Sequence, residues 1–259
     1  MTEQHLPLSY APTTVGQRVE ELLVSSGALW QGHFLLESGR HAERYVETFQ
    51  LLQHPDVVSE LCSYLAALTG GPDHPSVDVV VGPTTAGQIL AFEVARQLGI
   101  RDIFAREVHD SDGTSRRELA AGFALAEGER VLLVDDILAN DGAIIATLVP
   151  IEASGAHLLL AAALVDGSGG ASSVTSPVGG VVYAATALST VALPTFEPGP
   201  RTCPGCAAGT LLKIPGSTGT KVRAPGGLSV DLGRVVVADA DMPSAPRPDA
   251  APYSLGPTT

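Results

Sequence analysis

Lysine is nearly missing from this chain: Lys213 and Lys221 are the two among 259 residues, and the remaining bases are arginines. Against 28 acidic residues, the 15 bases leave a net charge of −13. A field of that sign repels nucleic acid and anionic membranes, so neither is an expected partner. It also opposes tight binding of polyphosphates unless clustered arginines or a metal ion offset it locally. The plainer account is a solubility surface biased towards arginine. Long apolar runs are missing too, since no stretch approaches the roughly 20 residues that span a bilayer. The opening MTEQHLPLSYAPTT lacks the basic and apolar regions of a signal peptide, which makes the cytoplasm the expected location. Internal repeats are absent.

Cysteine is scarce. Cys62 sits inside an apolar helical pattern and reads as core, while Cys203 and Cys206 form a CxxC in TCPGC. A lone CxxC supplies two zinc ligands where a structural site wants four. A redox pair, an intersubunit metal site and a simple turn all stay open, with the turn favoured.

What is present is a globular composition, 45% hydrophobic, in a length that suits one large α/β domain with trimmings or two small ones. Val19, Leu22 and Leu23 fall at helical spacing over residues 14–29, with Gly27 as a stop. HFLLESGRHAERYVETFQLL follows and reads as a hairpin turning at Ser38-Gly39. Residues 56–68 carry a second helical face. From residue 77 the chain alternates VDVVVG, a helix in GQILAFEVARQLG, DIFAR, a polar loop, VLLVDD, a helix from about 142, and HLLLAAALVD. Continuous apolar strands separated by helices predict a doubly wound, mostly parallel α/β sheet. Pro150 predicts a kink or an early end in the helix it interrupts. The expected organisation is an N-terminal hood of helix, hairpin and helix over residues 1–70, a core over 71–215, and a partly disordered extension over 216–259.

The strand-end turns should share one edge of the sheet and form the site. They are Gly82-Pro83-Thr84-Thr85-Ala86-Gly87, Arg106, Asp135-Asp136 and Asp166-Gly167-Ser168-Gly169-Gly170. Two carboxylates at a strand terminus beside a helix N-terminus suit hydrogen bonds from vicinal sugar hydroxyls, or a place near magnesium through water. The simpler alternative is one aspartate capping the helix with the other solvated; the flanking strand and turn favour a functional pair.

Several separated segments, in order, resemble the type I phosphoribosyltransferases, specifically the orotate phosphoribosyltransferase group. They are GHFLLESGRHAERYVE, VVVGPTTAGQILAFEVARQLG, LLVDDI, LVDGSGG and CPGCAAGTLLKIPGS, within residues 16–215. The resemblance implies a magnesium-bound phosphoribosyl diphosphate that gives ribose 5-phosphate to a ring nitrogen of orotate, and a homodimer. It implies that Asp135 and Asp136 hold the ribose diol and act in catalysis. Thr84, Thr85, Ala86 and Gly87 would lie against the diphosphate, and Arg40 would belong to a hairpin framing the base pocket.

Three departures from the family pattern stand out. The loop after the acid pair normally reads Thr-Thr-Gly-Gly-Ser, but here it is Ala139, Asn140, Asp141, Gly142 and Ala143. Two hydroxyls are lost and a carboxylate enters the expected 5-phosphate cradle. At about 4 Å and an effective dielectric near 20, that carboxylate costs a few kcal/mol against each phosphate charge. Asp141 capping the helix is the alternative. No lysine occurs between Ile103 and Arg130, where the family's mobile loop brings one to the diphosphate, although Arg116 and Arg117 could substitute. HDSDGTSRREL there suggests changed use of the loop, or a plain solvated loop. Finally, Asp166-Gly167 replaces an Asp-Arg pair whose arginine grips the orotate carboxylate, and Glu37 adds an acid.

The leading expectation is therefore a family enzyme acting at the anomeric carbon of a ribosyl substrate, by glycosyl transfer or glycosidic-bond cleavage, with altered substrate. The alternatives are a genuine orotate phosphoribosyltransferase of pyrimidine synthesis or a non-catalytic nucleotide- or nucleoside-binding relative.

Overall fold

The computed structural model describes residues 14–36, 38–70, 77–83, 85–138, 142–191, 193–215, 221–223 and 229–230. The expected disorder of the final stretch falls outside them, as do Glu37, Thr84, Ala139, Asn140 and Asp141.

Helix α1 (Val15–Ser25) begins at Thr14, whose hydroxyl accepts from the Gln17 N–H while the Gln17 side chain accepts from the Thr14 N–H, a reciprocal capping box. It stops at Gly27 as the sequence predicts, with Ala28 N–H reaching back to the Leu23 carbonyl at 2.8 Å. Strands β1 (Leu29–Leu35) and β2 (His41–Val46) form the expected antiparallel hairpin. The short helix α2 (Thr48–Leu52) and then α3 (Pro55–Ala67), with Pro55 preset for a helix start, complete the N-terminal part.

The core alternates as predicted: β3 (Val79–Gly82), α4 (Thr85–Leu98), β4 (Arg101–His109), β5 (Ser115–Leu119), β6 (Arg130–Leu138), α5 (Ala143–Ala153) and β7 (His157–Asp166). β8 (Ser173–Thr175) and β9 (Val182–Ser189) extend it to seven strands in the order β5-β4-β3-β6-β7-β9-β8. The inner pairs, from β4 through β3, β6 and β7 to β9, are parallel, and the two outer strands are antiparallel. This is the doubly wound, mostly parallel α/β sheet expected.

Side-chain alternation along each strand builds two cores. Val80, Leu132, Val134, Ala162 and Leu164 pack beneath α1, α3 and α4. Val79, Val81, Leu133, Ala161 and Ala163 face Ile144, Leu148 and Ile151 of α5. Each fully buried leucine there contributes roughly 2 kcal/mol from surface removed from water. That burial explains the first of two corrections. α5 neither ends early nor stops at Pro150, because Leu148 and Ile151, buried on either side of the proline, outweigh one lost hydrogen bond. The polar loop after DIFAR is a β-hairpin: β4 runs on to His109 and β5 returns along it. Its turn closes where Asp112 accepts from the Thr114 N–H and hydroxyl at 2.9 and 2.6 Å.

A second sheet of six strands was not foreseen. Beyond β9 come β10 (Thr195–Phe196), α6 (Pro204–Ala207), β11 (Leu212–Ile214), β12 (Lys221–Arg223) and β13 (Ser229–Val230). With the N-terminal hairpin they order as β10-β2-β1-β11-β12-β13. Residues late in the chain thus close on its first hairpin.

Candidate active site

Asp135 and Asp136 lie near the end of the central strand of the parallel sheet, which runs on through Ile137 to Leu138 rather than stopping at the pair, and their settings differ. Asp135 is buried at 3% exposure, and Asp136 is half-buried with Oδ1 accepting from the Ile137 N–H at 2.9 Å. Above them lies the first turn of α4. A Cβ placed on Gly87 would fall 2.8 Å from Asp135 Oδ1, 2.8 Å from the Val134 carbonyl and 2.5 Å from Pro83. Only a residue without a side chain lets the β3–α4 turn settle onto the carboxylate, and a helix N-terminus favours that negative charge. Thr85, Ala86 and Gly87 are therefore the opening residues of α4, brought against Asp135.

The following loop reappears at Gly142, which is the N-cap of α5 and gives no side-chain capping bond. The alternative in which Asp141 caps the helix lies outside the described residues. Ala143 opens the helix, and the N–H groups of such a first turn suit an anion.

Of the two arginines proposed to replace a lysine, one reaches this edge. Arg117 on β5 donates to the Pro83 carbonyl in the β3–α4 turn. Arg116 is instead held by Asp110 and Glu118 within the hairpin. Arg106 is not in a strand-end turn: it lies inside the longer β4, opposite Glu118 with 3.7 Å between their charged groups. The ladder to Glu118 fixes it there. Arg40 stands at the hairpin turn, donating to Thr195 Oγ1 at 2.9 Å, to the Thr195 carbonyl at 3.1 Å and to Glu197.

One strand along, Asp166 is buried and folds back to accept from the Ser168 N–H at 2.8 Å and from the Ser168 hydroxyl. It borders a cleft of about 370 Å³ whose far wall is Val191, Leu193 and Pro194. Gly167 donates to the Leu138 carbonyl at 2.8 Å, and a Cβ on it would lie 2.8 Å from Ile137 Cγ2. A side chain at position 167 would therefore require Ile137 to shift. The edge as a whole juxtaposes carboxylates, a helix N-terminus and one arginine around the strand ends, an arrangement suited to a polyhydroxy, phosphorylated ligand.

Two polar residues that the sequence reading left unassigned, His33 and His41, are buried on the second sheet beside Cys203 and Cys206. The signal was present as a histidine on each arm of the hairpin, HFLLESGRH, but nothing in the sequence connected it to a CxxC near residue 205. Burial, then the neighbouring His33, holds His41 below its ordinary value. Cys62 is plain core, its thiol pushed up to about 12 by burial.

Comparison with known proteins agrees with this architecture. The phosphoribosyl transferase domain family matches residues 48–182. The orotate phosphoribosyltransferase of Pelotomaculum thermopropionicum is 38% identical over 192 residues, 74% of this chain and 92% of that one. That of Heliobacterium modesticaldum is 37% identical over 201 residues, 77% of this chain and 97% of that one. Among solved structures, orotate phosphoribosyltransferase from Aeropyrum pernix superposes with a TM-score of 0.54 at 24% identity, over 67% of this chain and 93% of that one. That last likeness speaks for the fold. The chain belongs to the phosphoribosyltransferase family, a family of transferases, and its relatives just named are orotate phosphoribosyltransferases. Among the described residues, no helix is long and apolar enough to cross a membrane.

Proposed function

We propose that this protein is an orotate phosphoribosyltransferase, moving the 5-phosphoribosyl group of phosphoribosyl diphosphate to a ring nitrogen of orotate. The observation that carries this reading is the paired Asp135 and Asp136 near the end of β6, between the turn opening α4 and the start of α5. Relatives bearing that activity in their names match over nearly their whole length.

In the reaction the C1–O bond to diphosphate breaks and the electron pair leaves with the diphosphate. A C1–N bond forms, and the ring nitrogen gives up its proton. The chain's task is positioning and charge stabilisation. Asp136 and the more deeply seated Asp135 accept the ribose hydroxyls and hold the sugar as its anomeric carbon becomes cationic. The first turn of α5 donates to the 5-phosphate. Arg117, anchored at Pro83, meets the departing diphosphate where the family uses a lysine. Two carboxylates are hard oxygen donors, fitting magnesium that arrives on the diphosphate with its waters better than a dedicated cage. Bound there, magnesium would neutralise leaving-group charge.

A homodimer is part of this proposal. Phe49 on α2 and Ile89 and Phe92 on α4, exposed at 53%, 40% and 60%, offer an apolar face for it. So is a cytoplasmic location. A second reading, an altered acceptor, is favoured by one observation, the close seating of Gly167 where relatives of the pattern place arginine. The test is diphosphate release with orotate, uracil and adenine offered in parallel. Turnover on orotate supports the first reading; turnover confined to an acceptor without a carboxylate supports the second; none on any acceptor refutes both.

A further inference from the structure

We propose that His33, His41, Cys203 and Cys206 bind one zinc(II) ion in a closed structural site that fastens the N-terminal hairpin to the late segment of the chain. All four candidate ligand atoms lie within 4.8 Å of one another. His33 Nε2 is 2.8 Å from His41 Nδ1, 3.4 Å from Cys203 Sγ and 3.6 Å from Cys206 Sγ, and Cys206 Sγ is 3.2 Å from His41 Nδ1. Zn–N bonds of about 2.0 Å and Zn–S bonds of about 2.3 Å require tetrahedral edges of roughly 3.3–3.8 Å. The nitrogen–sulfur distances already approximate those edges, and the two imidazoles need to part by about half an ångström.

The tautomers agree. His33 Nδ1 lies 2.9 Å from the Thr210 carbonyl, which can only accept, so Nδ1 carries the proton and Nε2 turns its lone pair to the sulfurs. A backbone carbonyl behind a ligating histidine is the usual supporting contact in zinc sites. The turn between the cysteines is fitted to the same ring. A Cβ on Gly205 would lie 2.5 Å from His33 Cγ, so Gly205 lets the two sulfurs straddle the imidazole. Charge also favours the assignment: a zinc(II) ion with two thiolates and two neutral imidazoles sums to zero, which lowers the cost of burial. The step is not redox. Zinc(II) binds two sulfurs and two nitrogens, the Cys203 and Cys206 thiols release their protons to solvent, and no electron changes hands. Sulfur donors exclude magnesium as occupant.

The site also falls where the fold needs fastening. β10 meets β2 through two residue pairs, and β11 meets β1 through one, Phe34 with Lys213. His33 comes from β1, His41 from β2, Cys203 is the N-cap of α6 and Cys206 lies within it, so one ion ties three elements at the joint. All ligands come from a single chain, in contrast to the intersubunit site considered from the CxxC alone.

The test is metal analysis of the full-length protein purified without chelator and under reducing conditions. About one zinc per chain is expected, falling below about 0.1 in Cys206→Ser and His41→Ala and staying near one in the control Cys62→Ala. Replacement by cobalt(II) in the unaltered protein should give the visible absorption of a tetrahedral centre with thiolate charge transfer, a readout that does not depend on any variant folding. Less than about 0.1 zinc per chain after reconstitution with zinc and reductant, or an octahedral cobalt spectrum, would overturn the proposal. So would a Cys203–Cys206 disulfide that persists as the only form under reductant.

Discussion

Two regions of this molecule gather polar side chains in opposite arrangements. At the end of the parallel sheet, Asp135, Asp136 and Asp166 are steadied by neighbouring backbone and small residues, and they border turns and a cleft. At the six-stranded sheet and α6, His33, His41, Cys203 and Cys206 converge, their candidate ligand atoms within 4.8 Å of one another. Polar groups that line an opening serve a ligand that comes and goes. Polar groups that converge on a point serve the fold. The difference also shows in what supports each: helix starts and a tight glycine turn at the edge, a carbonyl and an apposed glycine at the cluster.

The sharpest way to break this contrast is to remove one carboxylate. Asp136→Asn should lower kcat/KM by about a thousandfold, roughly 4 kcal/mol of transition-state stabilisation, with zinc content unchanged. Steady-state kinetics beside metal analysis checks it; retained activity would take the pair out of the mechanism. The converse experiment strips the metal. Relative to protein in zinc at about 100 times its dissociation constant, chelation should cost about 3 kcal/mol of stability, read as a lowered Tm. Loss of activity at temperatures where the stripped protein remains folded would mean that the two regions are coupled.

Gly87→Ala should cost about 2 kcal/mol and most activity, since its Cβ meets Asp135 and the Val134 carbonyl at 2.8 Å. Denaturant melts with kinetics on the same samples would show both. Arg117→Ala should raise KM for phosphoribosyl diphosphate about tenfold with little change in Tm, whereas the hairpin-bound Arg116→Ala should not.

The smallest effect concerns Asp102 on β4, whose buried Oδ1 has no hydrogen-bond partner among the described residues and whose carboxyl is held above its ordinary value by burial. A raised carboxyl pKa means the folded chain binds the proton more tightly than the unfolded one. This group's penalty therefore grows as pH rises from the unfolded value of 3.8 through the raised folded value, and is relieved below it. Asp102→Asn should stabilise the protein at neutral pH by about 1 kcal/mol and leave acidic stability nearly unchanged. Melts at both pH values distinguish this from a general surface effect.

Much of the candidate site's edge was legible because its information is local. VLLVDD announces a buried strand ending in charge, and GQILAFEVARQLG a helix beside it, within a few residues. The misreadings came where tertiary burial or strand pairing overrode a local rule. Pro150 stays inside α5 because Leu148 and Ile151 are both buried, and HDSDGTSRREL becomes a hairpin because β4 supplies a neighbour for it to pair with. Arg117 could be proposed as a cation near the diphosphate, but not separated from Arg116. Adjacent residues on a strand point to opposite faces, and only the sheet says which face meets the β3–α4 turn.

By itself the sequence determined the alternation of strands and helices, the parallel sheet and the acidic pair at its centre, since apolar periodicity and turn residues act over short stretches. It also carried the family resemblance. The tertiary structure alone decided that His33 and His41 face Cys203 and Cys206 across some 170 residues of chain, and that Gly167 is pressed against Ile137. Neither follows from spacing, because each depends on how separate elements pack, and packing is set by the whole core.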